Sequence, residues 1–422
     1  MIFDRLRHSA HVKLIRYELL GALIFAGLVP YLTRLWSLDT SDALSFHTQT
    51  FLIVCLSTSL GYWFTRNFTT YPGVEKTSYI LTSLASSYGI ILAVLVFFRV
   101  DYSRFMLFAG FVLSLVWFYF TKISSARQAW VRVGLAPLTG DVADLESYPI
   151  LWVRLTDAAV IQHDIDAVAA DLRVDMEDDW ERALADYALA GVPVFHIKHL
   201  RESITGQVAL EHISESNFGS LSPVSAYMSI KHLLDALLAA LALLVVAPVL
   251  LCCAVLIRAT SAGPALFRQQ RVGYQGRSFT VYKLRTMKVA VPGEDARDAA
   301  MTKDADARVT PIGRFLRQSR LDELPQLLNV LKGEMSLIGP RPEAEVLSKW
   351  YEAEIPFYRY RHIVRPGITG WAQVNQGHVA DVSDVRTKLN YDFYYIKNFS
   401  PWLDMLIVAR TIRTMVTGFG AR

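Results

Sequence analysis

An apolar run near the middle of the chain decides the architecture: residues 231–258 read KHLLDALLAALALLVVAPVLLCCAVLIR. The run contains one acidic residue, Asp235, and exceeds the roughly 20 residues that cross a bilayer. Pro248 lacks an N–H and clashes with the carbonyl four residues earlier, so we predict a break in the helix there. A helix that turned back would place Lys231 and Arg258 at lipid headgroups. The run alone does not decide between turning back and crossing.

Four further apolar runs precede it, and the longest has 22 residues. The runs are Leu19–Thr33, Thr48–Thr65, Thr77–Phe98 and Phe105–Thr121. Basic residues concentrate before the first run, between the second and third, and after the fourth, so both ends of the group face the cytoplasm. We predict a four-helix transmembrane bundle over residues 1–126.

The composition argues against a purely soluble protein and against a zinc- or disulfide-stabilised scaffold. Of the 422 residues, 52% are hydrophobic and 19% are charged, with a mean hydropathy of +0.27, whereas soluble domains carry about 25% charged residues. The three cysteines lie in apolar runs, and no C-x-x-C pair suggests a structural zinc or a disulfide scaffold. The formal charge of +4 conceals −9 over residues 127–226 and +9 over residues 258–422. The basic C-terminal part therefore predicts an anionic ligand.

The acidic segment alternates strand-like and helix-like patterns. Trp130–Leu135, Ile150–Leu155 and Val192–Ile197 are typical of short strands, and Met176–Ala190 is typical of a helix. This alternation predicts a small α/β module. No G-x-G-x-x-G sequence occurs in it, which favours a scaffolding or regulatory role over nucleotide binding.

Two adjacent acidic residues are the leading candidates for chemistry. Residues 320–327 read RLDELPQL, and leucines at helical spacing follow Asp322 and Glu323. Since Pro325 belongs in a first turn, we expect both carboxylates at the start of a helix. Adjacent helical side chains point about 100° apart, so one carboxylate suits a nucleophile and the other a ligand of a divalent cation. The alternative is a solvated acidic first turn.

Four basic residues accompany this pair as candidate phosphate- and substrate-binding groups. They are Lys283, Arg285, Arg317 and Arg341. Guanidinium and ammonium groups bind phosphate, although basic clusters also suit lipid headgroups or nucleic acid. No Walker A sequence is present, so P-loop nucleotide binding is not expected.

Together, these ordered motifs resemble the bacterial sugar transferases, also called polyprenyl-phosphate hexose-1-phosphate transferases or monotopic phosphoglycosyl transferases. The resemblance covers residues from about Lys231 to Arg422, and the four N-terminal runs and the module resemble the long form of that family. It implies transfer of a sugar 1-phosphate from a UDP-sugar to undecaprenyl phosphate, with release of UMP. Such a reaction would initiate the synthesis of exopolysaccharide, O-antigen or capsule repeats.

The resemblance also implies roles for individual residues. Asp322 is similar to the family nucleophile that forms a phosphosugar-aspartate, and Glu323 to the residue associated with Mg²⁺. Lys283, Arg317 and Arg341 are similar to residues that hold phosphate groups. These assignments are expectations that the resemblance supplies, not deductions from spacing.

The expected fold class is a membrane protein with four parts: a four-helix transmembrane bundle (1–126), a small cytoplasmic α/β domain with its linker (127–226), a re-entrant membrane helix broken at Pro248 (227–258) and a mainly helical α+β catalytic domain (259–422). We expect it in the bacterial inner (cytoplasmic) membrane, multi-pass, with the catalytic domain facing the cytoplasm. The expected partners are a UDP-sugar, undecaprenyl phosphate, inner-membrane lipids and a second copy in a homodimer. No nucleic acid is expected.

Two alternatives and one departure remain open. Asp304-Ala305-Asp306 is a D-x-D triplet, the metal–nucleotide signature of many glycosyltransferases, which release UDP instead of UMP. A non-enzymatic membrane adaptor would use the basic domain to bind anionic lipid. Where the family usually has Asn-Gly-Arg, residues 375–378 read NQGH, so one family arginine is missing.

Two further segments, Lys349–Arg361 and Trp402–Val416, have compositions that suit either a membrane interface or core packing.

Overall fold

A computed structural model describes most of the chain. The described residues are 17–36, 41–68, 78–126, 131–137, 142–146, 148, 150–158, 164–208, 225–288, 308–376 and 382–417. The chain separates into two compact units, Met1–Gly206 and Gln207–Arg422.

The described part of the first unit starts with four helices, which contain the four predicted apolar runs almost completely. Their bounds are Tyr17–Leu35, Ser41–Phe68, Ser78–Phe97 and Arg104–Ala126. By length and composition, Tyr17–Leu35, Ile80–Phe97 and Arg104–Thr121 are apolar enough to cross a membrane, as is Tyr227–Thr260 in the second unit. Several candidate membrane spans are therefore present.

The helix Ser41–Phe68 does not belong to that set, although the sequence predicts a span within it. Its polar side chains have an internal function, because Thr58 hydrogen-bonds with Tyr88 (2.9 Å) and Ser114 (3.1 Å), and all three side chains are buried. Hydrogen bonds of this kind hold membrane helices together at about 0.6 kcal/mol each. The polar side chains thus make this helix less apolar than the others, and they hydrogen-bond to the neighbouring helices.

The first unit continues with a parallel four-stranded sheet in the order β2-β1-β3-β4, as the predicted α/β module requires. The strands are β1 (Val131–Leu135), β2 (Ile150–Arg154), β3 (Ala167–Ala170) and β4 (Val194–His196). Helix Asp178–Leu189 packs on one face and helix Ile197–Thr205 on the other. Prediction missed β3, because this alanine-rich central strand is buried on both faces and shows no alternation.

The second unit is organised around one long helix, Ser225–Thr260, with Pro248 in its interior. The backbone is helical on both sides of Pro248, so the predicted break does not interrupt the helix. One face packs against the rest of the unit, through Ala239 in one cluster and through Cys253 and Ile257 in another. The other face exposes a row of aliphatic side chains: Leu234, Leu237, Leu241, Leu244, Val245, Leu251 and Val255.

Two small sheets and several helices complete this mixed α/β unit. Strands β5 (Leu266–Val272) and β6 (Ser278–Leu284) form an antiparallel hairpin, and β7 (Ser336–Ile338) pairs in parallel with β8 (Gly367–Thr369). The remaining α-helices are Pro311–Gln318, Leu327–Leu331, Glu345–Glu354, Trp371–Gln376, Val382–Lys397 and Pro401–Thr417. The 3₁₀ turns are Tyr274–Gly276, Leu321–Gln326 and Tyr358–Ile363.

Lys231 on the long helix corrects one expectation. Instead of reaching lipid headgroups it is 4% exposed, and its Nζ lies 2.9 Å from the Asp404 carboxylate and 3.4 Å from that of Asp235. A buried lysine requires such partners because an unpaired charge away from water is costly. The C-terminal helix that carries Asp404 buries Leu403 and Ile407, so core packing explains its inner face.

Candidate active site

The acidic pair lies at the start of a helical segment, as predicted, but the first turn is tighter than an α-helix. Leu321–Gln326 forms a 3₁₀ helix and Leu327–Leu331 continues as an α-helix. Arg320 before the turn has a left-handed backbone (φ 57°). With three residues per turn, adjacent side chains point about 120° apart, so Asp322 and Glu323 face different surroundings.

Glu323 is held by two cations from other elements. Its Oε1 accepts hydrogen bonds from Lys283 Nζ on β6 (3.0 Å) and from Arg341 Nη2 (2.6 Å). Burial alone would raise the pKa of Glu323, but the charges of Arg341 and Lys283 outweigh it and hold that pKa well below its ordinary value. Glu323 is therefore a carboxylate that stays ionised.

Asp322 has the opposite environment. It is 8% exposed, and its Oδ1 is buried without a hydrogen-bond partner among the described residues. Burial raises the pKa of Asp322, the Glu323 charge raises it further, and Lys283 opposes both. Adjacent carboxylates whose pKa values are driven in opposite directions are typical of sites in which the two groups have different roles.

Lys283 and Arg341 complete the central cluster. Burial lowers the pKa of Lys283 to about 8, because the attraction of Glu323 only partly offsets the desolvation of the ammonium. The charge of Glu323 raises the pKa of Arg341, which stays protonated. The structure thus brings two of the four predicted phosphate-binding residues onto the predicted metal-binding carboxylate.

The other two predicted cations have different partners. Arg285 is buried and donates to the carbonyls of Ser261 (2.9 Å) and Ala262 (2.8 Å), directly after the long helix ends. Arg317 Nε donates to the Thr286 hydroxyl (3.0 Å). Arg285 therefore donates hydrogen bonds to free carbonyls at a helix end. The sequence predicts a phosphate ligand at this position and gives no sign of this structural role.

One further cation, Arg271, lies close to the charges of Arg341 and Glu323 and is not among the predicted site residues. The guanidinium of Arg271 donates to the carbonyl of Pro342 and to the side chain of Gln269. Burial lowers the pKa of Arg271 to about 10, and the neighbouring charge of Arg341 adds to that effect. Its contact with residue 342, 71 positions away, depends on the fold, so the spacing of basic residues in the sequence does not reveal it.

The segment in which the sequence departs from the family pattern is described only up to residue 376. Asn375 donates to the carbonyl of Trp371 (2.7 Å) and accepts a hydrogen bond from Arg410, whose guanidinium lies 4.6 Å from the Trp371 ring centroid. Gly377 and His378 lie outside the described residues, as does the triplet Asp304-Ala305-Asp306.

The side chains available as metal ligands limit how this site could hold the expected Mg²⁺. No group of three or more His, Cys, Asp or Glu side chains that suits a metal occurs in the described part of the chain. Mg²⁺ is commonly held by one or two carboxylates together with substrate phosphates. Glu323 fits an ion that shares its ligands with a diphosphate, and the described acidic residues do not form a metal cage built from protein alone.

Several known proteins are similar to this chain in sequence. The family model described as "Bacterial sugar transferase" matches residues 226–418. A UDP-N-acetylgalactosamine-undecaprenyl-phosphate N-acetylgalactosaminephosphotransferase of Aeromonas hydrophila is 45% identical over 359 residues, 84% of each chain. A UDP-glucose:undecaprenyl-phosphate glucose-1-phosphate transferase of Caulobacter vibrioides is 47% identical over 189 residues, 44% of this chain and 70% of that protein. The enzyme of the same name from Escherichia coli is 43% identical over 180 residues, 42% of this chain and 38% of that protein. The chain therefore belongs to the bacterial sugar transferase family and is an enzyme of the transferase class.

Proposed function

We propose that this enzyme transfers a sugar 1-phosphate from a UDP-sugar to undecaprenyl phosphate, releases UMP and thereby initiates the synthesis of exopolysaccharide, O-antigen or capsule repeats. One observation carries the proposal: the buried Asp322 carboxylate, one oxygen of which has no hydrogen-bond partner in the described part of the chain, adjoins Glu323, which is ion-paired with Lys283 and Arg341. The printed names of the relatives support the substrate classes.

The proposed reaction has two displacements at phosphorus. An oxygen of Asp322 attacks the β-phosphorus of the UDP-sugar, and the bond from that phosphorus to the bridging oxygen breaks, so UMP leaves. A phosphate oxygen of the lipid then attacks the same phosphorus, and the Asp322 carboxylate departs. Lys283 and Arg341 hold the diphosphate oxygens and stabilise the charge that develops on them. A Mg²⁺ held by Glu323 and the diphosphate would supply further charge neutralisation.

We propose that the sugar is N-acetylgalactosamine. The Aeromonas hydrophila relative named for UDP-N-acetylgalactosamine matches along 84% of both chains, so the match extends well into the N-terminal unit. The UDP-glucose enzymes match over the 189 and 180 residues given above. Similarity over both units favours the acetamido sugar as donor.

The long helix supports a proposal about the membrane. Lys231 near one end and Ile257 near the other both pack against the same folded unit. A helix that crossed the bilayer would place these residues on opposite sides, so we propose a re-entrant helix that bends near Pro248. The enzyme is then a multi-pass protein of the inner membrane with its catalytic part in the cytoplasm. The homodimer and the four-part division of the chain stay predictions.

A reconstituted assay tests the reaction and both alternatives. Purified full-length protein with Mg²⁺ and undecaprenyl phosphate is offered UDP-N-acetylgalactosamine, UDP-N-acetylglucosamine, UDP-galactose and UDP-glucose. We expect UMP, with the highest rate for UDP-N-acetylgalactosamine. Release of UDP would support the D-x-D glycosyltransferase, and absence of turnover with every donor would support the adaptor.

Mass spectrometry tests the intermediate. Without the lipid acceptor, we expect a sugar-phosphate adduct on the peptide that contains Asp322. An adduct on a different peptide would contradict the role of Asp322. The control is Asp178→Asn, which changes an exposed acid in the α/β module and should leave the adduct unchanged.

A further inference from the structure

The short loop that carries Arg341 is held in an unusual way. Each of its four consecutive carbonyls, from residue 340 to residue 343, accepts a hydrogen bond from a residue at least 20 positions away in the sequence. The donors, in that order, are the backbone N–H of Gly367 (2.9 Å), Nη2 of Arg361 (2.9 Å), Nη1 of Arg271 and the backbone N–H of Val272 (3.2 Å).

The sequence of the loop explains why these donors are needed. Pro340 and Pro342 have no N–H, so the segment cannot pair as a regular strand on both edges. Gly339 before it lies so close to residue 365 that a Cβ would come within 2.4 Å of that residue's carbonyl oxygen. The backbone is therefore pressed against its neighbours, and a buried carbonyl without a donor would cost free energy.

Arg361 is itself fixed by buried partners. It is 3% exposed, lies 2.7 Å from the Asp392 carboxylate and donates to the Tyr358 hydroxyl (2.8 Å). Asp392 lies on helix Val382–Lys397 and is 1% exposed. A guanidinium has donors in a rigid fork, so this side chain forms an ion pair with the Asp392 carboxylate and donates hydrogen bonds to the Tyr358 hydroxyl and to the loop carbonyl.

We propose that Arg361 and Arg271 are positioning residues for Arg341. They hold the carbonyls of residues 341 and 342, so the Arg341 guanidinium meets the diphosphate of the UDP-sugar without reorganisation of its backbone. The inference rests on the proposed function, because it assigns the diphosphate to Arg341. Neither residue touches the substrate in this proposal, and both act through the backbone of one loop.

A binding cycle in the full-length protein tests the inference. The dissociation constant of radiolabelled UDP-N-acetylgalactosamine is measured by equilibrium dialysis for wild type, Arg361→Lys, Arg341→Ala and the double variant. An ammonium cannot reproduce the three contacts, so we expect Arg361→Lys to weaken binding about tenfold when Arg341 is present. With Arg341→Ala we expect no further loss, because coupled residues are not additive.

The matched control is Arg359→Lys, which changes an exposed arginine on the same 3₁₀ turn and should leave the dissociation constant unchanged. Equal loss from Arg361→Lys in both backgrounds, or no loss in either, would overturn the proposal. If Arg361→Lys does not fold, Asp392→Asn takes its place in the cycle and is judged in the same way.

The readout separates this inference from the proposed function. Wild-type protein that binds the nucleotide sugar but releases no UMP contradicts the reaction, while the cycle still decides the positioning role. Wild-type protein that releases UMP but shows an additive cycle contradicts only the positioning role. Failure of wild type to bind the nucleotide sugar overturns both.

Discussion

Two buried ionic clusters in the second unit use similar residues for different purposes. We call Asp322, Glu323, Lys283 and Arg341 the site cluster, and Lys231, Asp235 and Asp404 the helix clamp. Both combine acids with cations away from water, where an uncompensated charge costs several kcal/mol. They differ in how completely their polar atoms are satisfied.

In the helix clamp both oxygens of Asp404 are bonded. Oδ1 accepts from the Tyr395 hydroxyl (2.8 Å), and Oδ2 accepts from the Tyr227 hydroxyl (2.6 Å) and lies 2.9 Å from Lys231 Nζ. In the site cluster, Oδ1 of Asp322 has no partner in the described residues. A fully satisfied cluster stabilises the fold, whereas an unsatisfied buried acid retains bonding capacity for a ligand.

The largest expected effect comes from a substitution at Asp322, the member of the site cluster with an unbonded oxygen among the described residues. Asp322→Asn keeps the size of the side chain and removes the nucleophilic oxygen, so we expect UMP release to fall roughly 1,000-fold or more. The melting temperature in detergent should stay equal or rise, because burial no longer opposes a charge. Retained activity would remove Asp322 from the mechanism.

A substitution in the helix clamp should have the reverse effect: stability should fall and activity should stay nearly unchanged. Lys231→Met leaves the Asp404 carboxylate without its cation, and we expect a destabilisation of about 3 kcal/mol. Thermal unfolding in detergent measures it, while the specific activity of the folded fraction should change little. Lys349→Met, which changes an exposed lysine paired with Glu345, is the control and should leave the melting temperature within error.

Glu323 provides a second test of the comparison, because it is ion-paired in this structure but would exchange these partners for the diphosphate in the proposed reaction. Glu323→Gln keeps the shape and loses the charge. We expect the Mg²⁺ concentration for half-maximal UMP release to rise about tenfold. A titration of Mg²⁺ in chelator-treated buffer measures it, and an unchanged half-maximal concentration would place the metal elsewhere.

The smallest expected effect concerns His362, which follows Arg361 in the scaffold of the site. Burial lowers the pKa of His362 to about 3, and Arg361 adds to the shift. Since the ordinary value near 6.5 applies to the unfolded chain, the unfolded state binds more protons between these limits, and stability falls as the pH decreases.

From pH 6.5 to 5.5 this difference amounts to about 1 kcal/mol. The variant His362→Gln should therefore lose less stability over that interval than wild type does. Melting curves at both pH values, with the protein in the same detergent, provide the measurement. Equal losses in the two proteins would show that His362 does not contribute to acid sensitivity.

Sequence patterns predicted the local features well. Apolar runs located the helices of the bundle and the long helix, and the motif around Asp322 located the turn that carries both carboxylates. The same patterns missed β3, which lacks a periodic signal, and placed Lys231 at lipid headgroups although it is buried. They also did not reveal the backbone carbonyls that Arg285 binds. For the two cations the residue type was informative, but the partners that decide their roles are distant in sequence.

The family of the chain, its apolar helices, the α/β module and the acidic pair were determined by the sequence, because hydropathy and motif spacing are local properties. The tertiary structure decided which charged residues have all their polar atoms bonded and which retain bonding capacity for a ligand. Lys283 meets Glu323 across 40 positions, and Tyr227 meets Asp404 across 177. Whether a buried charge is satisfied depends on every group around it, so only the folded chain separates a clamp from a catalytic site.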